Sequence, residues 1–382
     1  MEDVYITGAG AFLPGEPVGN DDMADRLGAI DESSARIGRL ILRQNKIRTR
    51  HYAIGANGAV MHSSAEMAAR AVAAAVKNSE SAPGDLDLLA TATTQGDLLV
   101  PGHASAVHAE LAKLSRAVRT LEAASFQSVC ASSLMAAKAA WLSVRTGEAK
   151  AAAAVGSEFS SRWFQPGFYQ PAMQKLEDSE ARMSAEFLRW TLSDGAGAIL
   201  LEPRPNARRP SFKVEWISIH SLAHRFDVCM YAGAAHDKRN ELTSSWSHYP
   251  EGPAQAVGDG AVMLLQDMTL LKRIIRAWVG EYLRLVDQER IVPEAVDHLL
   301  CHYSAHSLRE EIIRILKSTG GMIDEEKWFT NLPDKGNTGA AALFVMLDEF
   351  AEKGLAKPGD RVLCVVPESG RAMVSFMMLT AV

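Results

Sequence analysis

Three residues of this chain have types and settings that suit covalent and proton-transfer chemistry: Cys130, His302 and Asn337. Cys130 follows LEAASFQSV and opens the stretch CASSLMAAKAAWLSVRTG, whose alanines and closing Gly147 predict a helix. A sulfur at a helix N-terminus faces the positive end of the helix dipole, which is expected to favour the thiolate and make a nucleophile near neutral pH. The competing reading is a small buried hydrophobe, the commonest fate of a free cysteine. In VDHLLCHYSAHSLREEI, His302 stands where a predicted strand opens into a loop, a place suited to proton transfer or hydrogen-bond donation. His298, alternating into the strand, and His306, near the next helix start, compete with it. Asn337, in KGNTGAAA, occupies a predicted helix start, where asparagine is favoured as an N-cap.

The elements that must position these residues repeat. From Cys130 the chain reads CASSLMAAKAAWLSVRTG, and from Asn337 it reads NTGAAALFVMLDEFAEKG, each with the same spacing to a helix-ending glycine, Gly147 and Gly354. A strand follows each, AAAAVGSE and RVLCVVPESG. Two similar halves, one offering a cysteine and the other an asparagine, would bring both to one pocket about a false twofold; a chance match of Ala-rich helices is the alternative. VYITGAG, Ser63 to Asn78, DLLATAT and Ala104 to Leu114 continue the alternation of strands and helices, which predicts an α/β layered fold with mainly parallel strands. Helices such as MAARAVAAAV carry small side chains on nearly every face and suit burial between sheets. Residues 161–189, with aromatic, proline, methionine and charged residues and no strand period, read as an insertion or cap. Ala232 to Gly258 reads as a second long excursion.

Length and composition bound the class. The 382 residues exceed the usual single core, and 47% hydrophobic with 23% charged residues is ordinary for a globular enzyme. With a net charge of −6 and dispersed basic residues, no nucleic-acid footprint is present. The opening MEDVYITGAGAFLPG lacks the basic residues and apolar run of a signal peptide, and no stretch approaches the ~20 residues of a membrane span, so a cytoplasmic protein without membrane insertion is expected. Cys130, Cys229, Cys301 and Cys364 lie far apart with no CxxC pair, which predicts neither a zinc site nor disulfides.

Seven segments in order resemble the β-ketoacyl-acyl-carrier-protein synthase III branch of the thiolase superfamily: ITGAGAFLPGEPVGNDDMADRLG, ILRQNKIRTRHYA, ATATTQGDLLVPGHASAVHAELA, SFQSVCASSLMAAKAAWLSVRTG, AVGSEFSSR, LSDGAGAILLE and GNTGAAALFVMLDE. The resemblance weakens between about Ser211 and Ala295. It implies the five-layered αβαβα thiolase fold, with halves at 1–204 and 205–382 and the cap at about 163–189. It implies that Cys130 accepts an acyl group, that His302 and Asn337 hold the second thioester and stabilise its enolate, and that the amides of Cys130 and Gly370 form an oxyanion hole. Arg162 matches an arginine touching the coenzyme A nucleotide, and a homodimer through Leu88 to Pro101 is expected.

Departures from that pattern are specific. The loop HYSAH replaces HQAN, so His306 competes with His302 for the catalytic place. RLILRQNKIR lacks the tryptophan that meets the coenzyme A adenine. PESGRAM replaces a triple-glycine loop and puts Glu368 near the pocket mouth. Val100 replaces a bulky aromatic at the pocket floor. The implied activity is a decarboxylative Claisen condensation of an acyl group with a malonyl- or β-ketoacyl-type thioester in a specialised fatty-acid or polyketide pathway. Acyl-CoA or acyl-carrier-protein thioesters are the expected substrates and partners, with no metal and no other cofactor. The alternatives are acyl transfer to an alcohol, amine or carrier without carbon–carbon bond formation, and a silent partner subunit of a heteromeric ketosynthase.

Overall fold

The structure is a computed structural model that describes residues 2–28, 30–173, 179–236 and 242–382. Ten strands form its main sheet: β1 (Tyr5–Phe12), β2 (Leu88–Thr93), β3 (Glu122–Gln127), β4 (Ala152–Glu158), β5 (Gly195–Glu202), β6 (Phe212–Ser221), β7 (His298–Cys301), β8 (Trp328–Phe329), β9 (Arg361–Glu368) and β10 (Met373–Ala381). Their order is β8-β7-β9-β10-β6-β1-β5-β4-β2-β3. The sheet is two five-stranded halves, β1-β5-β4-β2-β3 and β6-β10-β9-β7-β8, with the same internal order and the same pattern of directions. They meet through a two-residue antiparallel bridge, Tyr5 to Lys213 and Ile6 to Phe212.

Direction departs from expectation. Parallel pairing holds only for β2 with β3 and β4, and for β7 with β8 and β9; the remaining neighbours are antiparallel. The cause is that β5 and β10 return without a crossover helix between sheet faces. β10 follows β9 after a turn of only four residues, 369–372, which cannot reverse direction twice.

Six helices build the other layers: α1 (Ser64–Lys77), α2 (His103–Leu114), α3 (Ser132–Thr146), α4 (Met268–Asp287), α5 (His306–Thr319) and α6 (Ala342–Glu352). Apart from the edge strand β3, most strands are buried on both faces, so alternate residues feed different cores. Leu89 and Leu200 pack with Ala68 and Val72 of α1 in one outer core. Leu88 and Ala90 of the same strand β2 turn to the middle layer, where Leu134 and Ala137 of α3 join Leu343 and Leu347 of α6. Leu363 and Phe376 face the other outer core with Ile275 and Trp278 of α4. Helix, sheet, helix, sheet, helix: the five-layered thiolase fold is present.

Close approach between layers needs missing side chains. A Cβ at Gly156 on β4 would lie 2.2 Å from the carbonyl oxygen of Ala340, so strand and asparagine turn are in backbone contact. Of the cap, the turn Ser160–Phe164 and the helices Pro166–Met173 and Ser179–Arg189 are described, whereas residues 174–178 lie outside the described residues. The cap is anchored by a fully buried pair, Arg189 with Glu186 at 3.1 Å, and Arg189 also donates to the carbonyls of Leu27, Gly28 and Phe164. The excursion at Ala232 to Gly258 contains short strands Ala234–His236 and Leu242–Ser245, with residues 237–241 outside the described ones.

Candidate active site

Cys130 lies between β3 and α3, two residues before the helix begins at Ser132, and is 6% exposed. Asn337 begins the corresponding turn of the second half, ahead of a 3-10 turn Gly339–Ala341 that leads into α6. Both helices end as the repeat requires, on glycines in the left-handed region, Gly147 at φ 82° and Gly354 at φ 59°. Cys130 and Asn337 line one cavity of about 340 Å³ together with Gln127, Glu158, Phe159 and Ser304. Trp163 and Leu188 of the cap close one side. The false twofold therefore joins the cysteine and asparagine of the two halves.

Asn337 caps the 3-10 turn and not α6 itself. Its Oδ1 accepts the amide of Gly339 at 3.0 Å within its own turn, and its backbone carbonyl accepts Ser193 N at 2.8 Å. With Oδ1 committed, the side-chain NH₂ is the group it has to offer.

His302 follows β7 directly, and its amide donates to Val365 at 2.9 Å. It is buried, its Nε2 has no hydrogen-bond partner, and burial lowers its pKa to about 4, so the imidazole is neutral at physiological pH. His302 itself is not among the cavity-lining residues, though Ser304 is. His306 opens α5 and sits 3.2 Å from Glu310, away from the cavity. His298 pairs with Asp360 at 3.1 Å.

The state of Cys130 differs from the expectation of a dipole-stabilised thiolate. Burial pushes its thiol well above the ordinary range, and the carboxyls of Glu368 and Glu158 add to the effect. A half-charge at a helix terminus cannot outweigh loss of water and two nearby acids. Both effects favour the thiol over the thiolate.

Glu368 is not at the pocket mouth. It is buried at the end of β9, where its carboxyl accepts Ser128 Oγ at 2.6 Å and Ala131 N at 2.9 Å, and its pKa is raised by burial. The next residue, Ser369, lines the cavity in its place. Gly370 does not line the cavity. Its carbonyl accepts the amide of Cys229 at 2.8 Å, and a Cβ there would meet the Val129 side chain at 2.9 Å.

Arg162 lines the cavity, but its terminal nitrogens are committed to Asp97 at 3.0 Å and to the carbonyls of Gln95 and Gly96. Asp97 in turn accepts the amides of Ser64 and Ala65 at the start of α1, so Arg162 pins that helix to the loop. Val100 is 82% exposed, beside exposed Leu98 and Leu99, and is not on this cavity's floor. In the expected contact segment, Leu88 to Pro101, the strand itself is interior; the sheet's exposed edge is β3.

One residue escaped the sequence reading. Glu158, at the end of β4, lines the cavity and is buried; its Oε1 accepts Thr94 N, Thr94 Oγ1 and Ala340 N at 3.1, 2.6 and 3.1 Å. Burial raises its pKa to about 7 despite those bonds. Its place in AVGSEFSSR, after a strand with no other charge, was the available signal: an acid closing a fully apolar strand must be buried or at a site. No group of three or more metal-ligating side chains occurs among the described residues, and no described helix is long and apolar enough to cross a membrane.

Residues 117–207 match the β-ketoacyl synthase N-terminal domain, and residues 286–378 match the 3-oxoacyl-[acyl-carrier-protein] synthase III C-terminal domain. A β-ketoacyl-[acyl-carrier-protein] synthase III of Caulobacter vibrioides is 34% identical over 359 residues, 94% of either chain, and that of Clostridium acetobutylicum is 24% identical over 366 residues, 96% of this chain and 95% of its own. Among solved structures, the tetronic acid condensing enzyme AbyA1 superposes with a TM-score of 0.75 at 20% identity, covering 99% of both chains. OleA of Xanthomonas campestris, with cerulenin bound, gives 0.72 at 18% identity, covering 99% of this chain and 97% of its own. With one relative above a third identical along nearly its whole length, the chain belongs to the β-ketoacyl-[acyl-carrier-protein] synthase III family of condensing enzymes.

Proposed function

We propose that Cys130 accepts an acyl group from a coenzyme A or carrier-protein thioester, and that this group is joined to a malonyl- or β-ketoacyl-type thioester by decarboxylative Claisen condensation in a specialised fatty-acid or polyketide pathway. The supporting observation is that Cys130 and Asn337, one from each half, line a single cavity of about 340 Å³. The sulfur attacks the thioester carbonyl, the donor's C–S bond breaks, and the thiol proton leaves with the departing thiolate. Loss of carbon dioxide from a malonyl-type second thioester, or of the acidic α-proton from a β-ketoacyl-type one to the Glu158 carboxylate, leaves an enolate, held by the Asn337 amide and the neutral His302. Attack of the enolate on the acyl carbonyl then expels Cys130. None of these steps calls for a cofactor beyond the thioesters.

Glu158 favours a second reading. A carboxyl that ionises near neutrality in the same cavity is suited to take a proton from an alcohol or amine acceptor, giving acyl transfer without a new carbon–carbon bond. Intact-mass measurement after incubation with acyl thioesters tests the first step: one acyl group is added to the wild type and none to Cys130→Ala. No adduct with any coenzyme A or carrier-protein donor refutes it. Release of carbon dioxide on adding a malonyl thioester then selects condensation over plain transfer.

A further inference from the structure

Asn337 belongs to the second half of the chain and is held in place by the first. Its backbone carbonyl accepts Ser193 N at 2.8 Å, and Leu192 and Asn337 pair as a parallel bridge. The turn that leads to it is tied to the residues following the helix Glu32–Asn45: Arg48 N donates to Pro333 O at 2.7 Å, and Thr49 Oγ1 donates to Asp334 O at 2.6 Å. Ser193 joins these two ties. It is fully buried, and its hydroxyl accepts His51 N at 2.9 Å and donates to the His51 carbonyl at 3.3 Å. Asp194 N donates to the same carbonyl at 2.8 Å.

Gly336, the residue before the asparagine, is closed in from two sides. At its φ of 71° a Cβ would fall 2.8 Å from Ser193 Cβ and 2.9 Å from Arg50 Cγ, so the peptide entering Asn337 rests against those side chains. Arg50 is itself fully buried and donates to Trp190 O at 2.7 Å, which fixes the wall it offers. With Oδ1 of Asn337 engaged by Gly339 N, the direction of its NH₂ follows from where the backbone at 336–337 sits.

We propose that Ser193 is a positioning residue for enolate formation from a malonyl thioester: its hydroxyl ties the segment 48–51 to the chain at 192–194, and that tie keeps the Asn337 amide aimed into the cavity. Ser193 does not line the cavity, so it acts through Asn337 alone. The proposal rests on the reading that Asn337 holds the enolate and adds what fixes that amide. Loading of Cys130 draws on none of these contacts, so the two steps respond differently to loss of the hydroxyl.

The test is a double-mutant cycle on carbon dioxide release from malonyl coenzyme A by protein loaded at Cys130 with a butanoyl group. Ser193→Ala slows release about tenfold, the effect of one buried hydrogen bond, and leaves butanoyl loading, read by intact mass, within about twofold of wild type. Asn337→Ala slows release about a hundredfold, and Ser193→Ala has no added effect in that background. A general structural role gives equal losses in both backgrounds and slower loading; either result overturns the proposal, as does release from Ser193→Ala at the wild-type rate. If Ser193→Ala does not fold, Ser193→Cys, close in size but a weaker hydrogen-bonding group, goes through the same cycle, with loading located by the mass of the peptide containing Cys130. Failure of the underlying reading looks different. A wild type that releases no carbon dioxide, or Asn337→Ala at the wild-type rate, leaves Ser193 nothing to position and refutes both.

Discussion

Glu158 and Glu368 end the equivalent strands β4 and β9, and each accepts a backbone amide from the start of the other half's buried helix segment: Glu158 from Ala340, Glu368 from Ala131. The two acids thus cross-brace the cysteine and asparagine turns. Their surroundings differ in one respect. Glu368 also binds Ser128, and Ser369 lines the cavity in its stead, whereas Glu158 itself faces the cavity. One holds the nucleophile's turn, and the other presents a carboxyl to the cavity.

Glu368→Gln removes a negative charge from beside Cys130 while keeping an acceptor for Ser128. The midpoint of the pH–rate profile for iodoacetamide alkylation of Cys130 moves to lower pH. A midpoint that stays in place, or rises, contradicts the charge assignment.

Glu158 gives a pH dependence of stability whose sign follows from its raised pKa. With the folded value near 7 and the ordinary value at 4.5, the stability it contributes is complete below about pH 4.5 and is lost as pH rises through 7, where the fold must carry a buried charge. The difference amounts to roughly 3 kcal/mol. Melting temperatures of wild type should therefore fall between pH 5 and 7.5 more steeply than those of Glu158→Gln; parallel curves would show that this carboxyl stays ionised in the fold.

His302→Ala and His306→Ala separate the two candidate histidines. Loss of His302 is expected to reduce condensation about a hundredfold with Cys130 loading retained, and loss of His306, paired on the surface with Glu310, changes the rate less than twofold. Because burial holds His302 near pKa 4, no histidine inflection appears in the wild-type rate between pH 5 and 8. The assignment fails if the larger effect belongs to His306.

Gly156→Ala places a methyl group 2.2 Å from the Ala340 carbonyl. The asparagine turn must retreat, which lowers stability by about 1–3 kcal/mol and displaces Asn337 from Cys130. Denaturant titration and loading assays together check this: Cys130 still loads, and the second step is lost. Unchanged stability would mean that strand and turn are not in contact.

Legibility in the sequence followed physical range. The helix at Ser64–Lys77, with Ser63 capping through Glu66 N, and the matched helix ends at Gly147 and Gly354 rest on local rules, and the chain displays them openly. The repeat also carried the meeting of Cys130 with Asn337, because equal spacing to a glycine fixes equal places in equal folds. Strand direction was misread because nothing in β5 or β10 records which neighbour each will pair with. The thiolate expectation failed for a related reason. The helix dipole belongs to residues beside Cys130 in sequence, whereas Glu368 lies 238 positions away and reaches it only through the fold. Val100 was placed by resemblance on a floor that, within one chain, it does not reach.

The middle layer carries a last consequence. α3 arises in the first half and α6 in the second, yet they share one apolar interior to which both sheets contribute. Neither half owns a finished interior of its own. Severed at the connection near residue 204, each fragment would leave one face of its central helix in water, so the two would be recovered as insoluble pieces or only when co-expressed. The repeat legible in the sequence thus describes a single cooperative unit and not two separable ones.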